Sequence, residues 1–169
     1  MTPGNTLAFF PNYGEASRYA DRLVSRSDRT LYLDEPGQSV EELRQQFVAD
    51  DGAVLCTSLW GTLAEGVSFD GDDANTVLVV GVPYPHLDDR AEAVQDAYDV
   101  AFDGTDTGWR YAVEIPTIRK TRQALGRVIR SPEEVGVRAL LDRRYSRRVK
   151  PDLASTASTA SSPTRSARN

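Results

Sequence analysis

Five short apolar runs, TLAFF at Thr6–Phe10, LYL at Leu31–Leu33, AVLCT at Ala53–Thr57, TVLVVGV at Thr76–Val82 and VRALL at Val137–Leu141, are the feature that most restricts the fold. Each is too short for a helix, and the longer ones are apolar without alternation. Unbroken apolarity suits strands that are covered on both faces. The segments between them carry helical spacing. Glu15–Ser25 places Ala16, Tyr19, Ala20 and Leu23 on one face, and Ser39 with Glu42 forms a Ser-x-x-Glu capping box ahead of Leu43, Phe47 and Val48. Leu87–Phe102 repeats through Ala91, Val94, Tyr98 and Ala101, and Trp109–Arg130 is helical with an interruption near Pro116. Asp103–Gly108 reads as a polar loop. Strands alternating with helices predict an α/β doubly wound parallel sheet with helices on both faces.

The alternation fills residues 1–150, one domain of ordinary size in a chain of 169 residues. From Pro151 to Asn169 the sequence turns to Ser, Thr and Ala, a composition that predicts a disordered tail. No run is long and apolar enough to span a membrane, so no membrane partner is expected. The first residues have no basic region followed by an apolar one, so the expected location is cytoplasmic.

Charge is unevenly divided. Met1–Ile115 carries 21 acidic and 7 basic residues, against 4 acidic and 13 basic in Pro116–Asn169. Lys120 and Lys150 are the only lysines. An acidic, lysine-poor chain suggests a salt-loving source. Its basic C-terminal third suggests a face that meets phosphates. Cys56 is the only cysteine and His86 the only histidine. That excludes an intramolecular disulfide and an iron–sulfur cluster built from this chain alone. Cys56 sits in an apolar run and is expected in the core, and His86 reads as a polar loop residue. The paired carboxylates lie in polar stretches and read as solvated surface.

Three stretches carry candidate chemistry. Gln123, Gly126, Arg127 and Arg130 form Q-x-x-G-R-x-x-R; guanidiniums three residues apart share a helix face and make a fork for phosphate. An ordinary surface helix whose arginines pair with carboxylates would give the same short pattern. Trp60–Phe69 follows the AVLCT run and reads as a strand-to-helix loop. Its glycines allow close backbone approach, and Thr57, Ser58, Thr62, Glu65 and Ser68 offer hydroxyl and carboxylate groups. Val82-Pro83-Tyr84-Pro85-His86 follows the TVLVVGV run, and Tyr84 could stack on a base or simply pack. No Gly-x-x-x-x-Gly-Lys-Ser/Thr loop occurs, and no nucleophile–base pair of a hydrolase is identifiable.

Taken in order, FFPNY at Phe9–Tyr13, GTLAEGVSF at Gly61–Phe69, VGVPYP at Val80–Pro85, RQALGRVIR at Arg122–Arg130 and GVRALLDRRY at Gly136–Tyr145 resemble the C-terminal motor half of the XPD-type DNA repair helicases of superfamily 2. The resemblance covers Thr6–Lys150. It implies a RecA-like lobe, with ATP and Mg2+ held in a cleft shared with an N-terminal lobe and single-stranded DNA crossing both. Phe9–Tyr13 matches motif IV, Gly61–Phe69 motif V and Gln123–Arg130 motif VI. The resemblance assigns Gln123, Arg127 and Arg130 to catalysis, with Arg130 the preferred arginine finger. It assigns Glu65, Gly66, Ser68 and Gly126 to the nucleotide side, although Ser68 stands where many relatives have Asp. Tyr13, Thr57, Ser58, Trp60 and Thr62 fall on the DNA side. The motifs of the N-terminal lobe are absent, so the chain is expected to be half of a motor that alone does not hydrolyse ATP. The alternative is a non-enzymatic RecA-like module that docks on DNA or on a partner helicase. DNA binding through arginine-rich surfaces is expected to be weak and strongly salt-dependent.

Overall fold

A computed structural model describes residues 4–69, 73–102, 106–127 and 135–146. The chain runs β1 (Thr6–Phe10), α1 (Tyr13–Val24), β2 (Leu31–Leu33), α2 (Val40–Ala49), β3 (Val54–Ser58), α3 (Thr62–Gly66), β4 (Thr76–Val80) and α4 (Asp89–Phe102). A helical turn, α5 (Thr107–Trp109), a π-helical segment (Arg110–Glu114), α6 (Ile115–Leu125), β5 (Val137–Leu141) and a 3-10 turn (Arg143–Tyr145) follow. The five strands form one parallel sheet in the order β2-β3-β1-β4-β5. The chain therefore passes from β1 to the edge strand β2, returns inward to β3, and then crosses β1 to β4 and β5, and the doubly wound expectation holds.

Alternate residues of the central strand feed two cores. Leu7 and Phe9 point to the face covered by α2, α3 and α6, where they meet Leu43, Phe47, Leu55, Leu63, Val77, Val79 and Leu125. Ala8 and Phe10 point to the face covered by α1, against Ala16, Ala20 and Cys56. Cys56 is fully buried and burial pushes its thiol up to about 11, which makes it a core residue of low reactivity. α4 differs from the other helices: none of its residues is buried, and it leans on α5 and the π segment.

Several boundaries depart from the sequence reading for local reasons. TVLVVGV stops being a strand at Val80, because Gly81 takes φ +79°, in the left-handed region, and a Cβ there would lie 3.0 Å from Pro11 Cγ. α1 begins two residues earlier than expected, because the Asn12 side chain caps it by accepting from the Glu15 N–H at 2.8 Å. Ser39 caps α2 as its motif predicts. The interruption near Pro116 is a π segment: proline brings no N–H to the helix ladder, and the turn before it widens. The expected loop Trp60–Phe69 contains a short helix, α3. The expected loop Asp103–Gly108 ends in α5; its residues 103–105 lie outside the described residues, as do residues 128–134 and the tail from 147.

Candidate functional site

In a parallel sheet the loops that leave the carboxyl ends of the strands gather along one edge. Here β3, β1 and β4 are neighbours, so the segments after Ser58, Phe10 and Val80 converge. They enclose a groove of about 570 Å³ whose walls include Tyr13, Ser58, Trp60, Tyr84, His86 and Leu87. Trp60 is 39 % exposed and Ser58 is buried, with its hydroxyl accepting from the Trp60 N–H at 3.2 Å.

Beneath the groove lies a buried polar cluster. Asp34, at the carboxyl end of β2, accepts a hydrogen bond from the Thr57 hydroxyl at 2.6 Å and interacts with the Tyr13 hydroxyl. Burial raises the Asp34 carboxyl above its usual range, opposed by the bonds from Thr57 and Tyr13. Burial, then the charge of Asp34, raises the Tyr13 phenol, while bonds to Thr62 act in the other direction. Gly61 lies against this tyrosine: a Cβ there would come within 2.4 Å of the Tyr13 hydroxyl. The position is therefore closed to any side chain while Tyr13 keeps its place.

Next to the groove, α3 is clamped from α6 and the residues that follow it. The Lys120 ammonium pairs with the Glu65 carboxylate and lies 5.0 Å from the Trp60 ring centroid. The lysine's bond and charge lower the Glu65 carboxyl. Arg127 is buried, and its two terminal nitrogens donate to the Val67 and Ala64 carbonyls. Those carbonyls end a helix of a single turn and lack partners within it. The guanidinium thus acts as a side-chain cap that joins the GTLAEGVSF and RQALGR stretches.

The residues expected from the sequence fall into three groups. Glu65 and Arg127 are tied to each other's stretch through the Lys120 and Arg127 contacts, while Gly66, Gln123 and Gly126, like Glu65, are on the surface. Tyr13, Ser58 and Trp60 line the groove, and Thr62 reaches it through the Tyr13 hydroxyl. Thr57 is fully buried on Asp34, so it supports the groove from below. Ser68 is exposed, and its carbonyl accepts from Arg44 at 2.8 Å. Arg130 lies outside the described residues. Tyr84 packs against Val82, Tyr145 and the Trp109 ring and also lines the groove.

Two members of the site escaped the sequence reading. Asp34 belongs to a carboxylate pair that looked like solvated surface, yet it is only 2 % exposed. Its one signal was its place directly after an apolar run. Lys120 was visible as a rare lysine, one helical turn before Gln123. Among the described residues no group of three or more His, Cys, Asp or Glu side chains could hold a metal ion. No helix there is long and apolar enough to cross a membrane.

Comparison with known proteins places this geometry. The chain is similar to the ATP-dependent DNA helicase XPD of Sulfolobus acidocaldarius, 30% identical over 144 residues that span 83% of this chain and 25% of the relative. It is 28% identical over 170 residues to the helicase subunit XPD of the general transcription and DNA repair factor IIH of Schizosaccharomyces pombe, covering 87% and 20% of the two chains. A solved XPD helicase structure superposes with a TM-score of 0.69 at 29% identity, over 89% of this chain and 27% of that one. The chain therefore spans a fifth to a quarter of the length of these curated relatives. The family model for the helicase C-terminal domain matches residues 1–159, and the chain belongs to that family, as a RecA-like α/β domain of the XPD type.

Proposed function

We propose that this chain works as the second motor lobe of an ATP-dependent DNA helicase that moves on single-stranded DNA in repair. The observation that carries the reading is the clamp on α3. One short helix is held to α6 by Lys120–Glu65 and capped by Arg127, while the residues just before it wall the groove. A displacement of the phosphate-facing stretch would thus move the groove wall.

In this reading ATP and Mg2+ are held mainly by an N-terminal lobe, in the same polypeptide or supplied by another. Arg130 acts as the arginine finger, meeting charge that builds on the transferring phosphoryl oxygens. Such a contact contributes roughly 10³–10⁵ in rate, or about 4–7 kcal/mol. Gln123 organises the nucleotide side, where Gly66, Ser68 and Gly126 allow close approach. Arg127 has its guanidinium on the α3 carbonyls, so it transmits the state of the nucleotide to the DNA side. Phosphate release removes the Arg130 contact, the lobes part, and the grip on the strand changes. Tyr13, Ser58, Trp60 and Thr62 face the strand, with Thr57 behind them.

A second reading is a non-enzymatic RecA-like module that docks on DNA or a partner helicase. It is favoured by α4 and the π segment, where Tyr98 and Phe102 of the first stack with Tyr111 of the second, with centroids 5.4–6.0 Å apart, and Phe102 is 58 % exposed. Supplying an N-terminal lobe that carries a Walker A loop separates the two. The motor reading expects DNA-stimulated ATP turnover that Arg130→Ala abolishes. A docking module would bind that lobe equally well with Arg130→Ala and yield no turnover. The acidic composition also leads us to propose a salt-loving source, which full folding stability in the absence of salt would refute.

A further inference from the structure

We infer that the groove grips single-stranded nucleic acid by its bases, stacked on Tyr13, Trp60 and Tyr84, and not by its phosphates. The inference rests on the helicase reading above and adds to it the chemistry of the contact. Three rings, one from the start of α1 and two from the loops after β3 and β4, reach one groove. Among the described residues that line it, none is Lys, Arg, Asp or Glu.

Among the described residues, the two cations that lie over these rings are each paired with a carboxylate. Lys120 lies 5.0 Å from the Trp60 centroid and is paired with Glu65. Arg144 lies 5.5 Å from the Tyr84 centroid and is held by both oxygens of Asp142, each bond 2.8 Å long. Phosphate binding draws its strength from cations that release counterions, and each such contact steepens the salt dependence. A cation with its own carboxylate has little to release. What remains at the groove is aromatic surface, which stacks on any base and which salt does not screen.

The rings are also held in place. The Tyr13 hydroxyl is tied to Asp34 and Thr62, and the Tyr84 ring is braced by Trp109. Less ordering is then required when a base arrives. This differs from the salt-dependent binding that the arginine-rich C-terminal third leads one to expect. The groove's share of the affinity persists in concentrated salt, where phosphate contacts fade.

The test compares two fluorescent single strands of equal length, oligo-dT and a fully abasic phosphodiester backbone, bound to the wild-type chain from low to molar potassium chloride. The expected result is that oligo-dT binds about ten-fold tighter or more, the effect of at least one stacked base, and that the ratio holds across the titration. Trp60→Ala should collapse the ratio and Trp60→Phe should keep most of it. Equal affinity for the two strands, falling together with salt and indifferent to Trp60→Ala, would overturn the base-stacking inference while leaving a DNA-binding lobe. Failure of both strands to bind at low salt would overturn the inference together with the helicase reading. The wild-type comparison stands even if Trp60→Ala fails to fold.

Discussion

The amino and carboxyl edges of the sheet both carry a cavity, and they use their polar groups in opposite ways. At the amino edge, Asn5 commits its whole side chain to backbone. Its amide nitrogen donates to the carbonyls of Phe47, Asp50 and Asp73 at 3.0–3.2 Å, and its oxygen accepts from the Ala53 N–H at 2.8 Å. The adjoining cavity of about 390 Å³ is walled by Asp50, Asp51 and Asp73. Tyr32 already bonds Asp50, and Arg44 already pairs with Asp73. At the carboxyl edge the buried groups are also satisfied, but rings and loop residues remain turned to the groove. Volume alone does not make a site here. An acidic hollow repels phosphates and stitches elements together, whereas a neutral aromatic one has surface left to offer a ligand.

The comparison breaks most readily at Asn5. Asn5→Ala should cost about 3–5 kcal/mol, because three carbonyls and one N–H lose a partner in a buried or partly buried place. Denaturant midpoints measure the loss, and the folded fraction should bind DNA as before. A weakened DNA affinity per folded molecule would erase the distinction between the edges.

Arg127→Ala should cost about 2–4 kcal/mol, since the Ala64 and Val67 carbonyls at the end of α3 lose a charged donor. Unlike Asn5→Ala, it should loosen amide exchange protection in Thr62–Gly66 before the rest of the sheet opens. Uniform loss of protection would place Arg127 with the amino-edge stitches.

Gly61→Ala should cost about 1–3 kcal/mol by overpacking. The new methyl displaces Tyr13, with which it collides, so groove binding should weaken beyond what the stability loss explains. Retained oligo-dT affinity would show that Tyr13 is not part of the contact.

The smallest effect is electrostatic. Bonds and charge from Arg144 hold the Asp142 carboxyl down to about 2, against an ordinary 3.8. The folded state therefore favours the ionised form. The stabilisation is present above the ordinary value and is lost as pH falls from 3.8 toward about 2. With Arg144 39 % exposed, solvent screening limits it to about 1 kcal/mol or less. Asp142→Asn should lose that much at neutral pH and nothing in strong acid. Asp34 has the reverse sign: its raised carboxyl makes stability fall as pH rises above its ordinary value, so Asp34→Asn should flatten that limb.

Much of the fold was legible because the signals are local. Thr6–Phe10, Leu31–Leu33 and Val137–Leu141 are strands with the predicted bounds, and Ser39 caps its helix through the predicted residue. α3 was illegible because five residues that start after one glycine and end on another have little intrinsic helix preference. It forms because Leu63 and Ala64 are buried and Arg127 caps it from 63 residues away. The site divides in the same manner. The glutamine–arginine pattern and the glycine-flanked stretch could be read along the chain. The Lys120–Glu65 pair spans 55 positions and the Thr57–Asp34 bond spans 23, so no spacing rule could connect them. Charge counting pointed to a phosphate-facing basic third, and only the packing reveals that Lys120 and Arg144 bring their own carboxylates.

The most direct test of the central claim, that this lobe acts on a nucleotide held elsewhere, is ATP turnover by the purified chain in concentrated potassium chloride, with and without single-stranded DNA. The account predicts no turnover in either case, and DNA-stimulated turnover once an N-terminal lobe is added. DNA-stimulated turnover by the chain alone, lost on Arg130→Ala, would contradict it, because the lobe would then hold ATP with groups of its own.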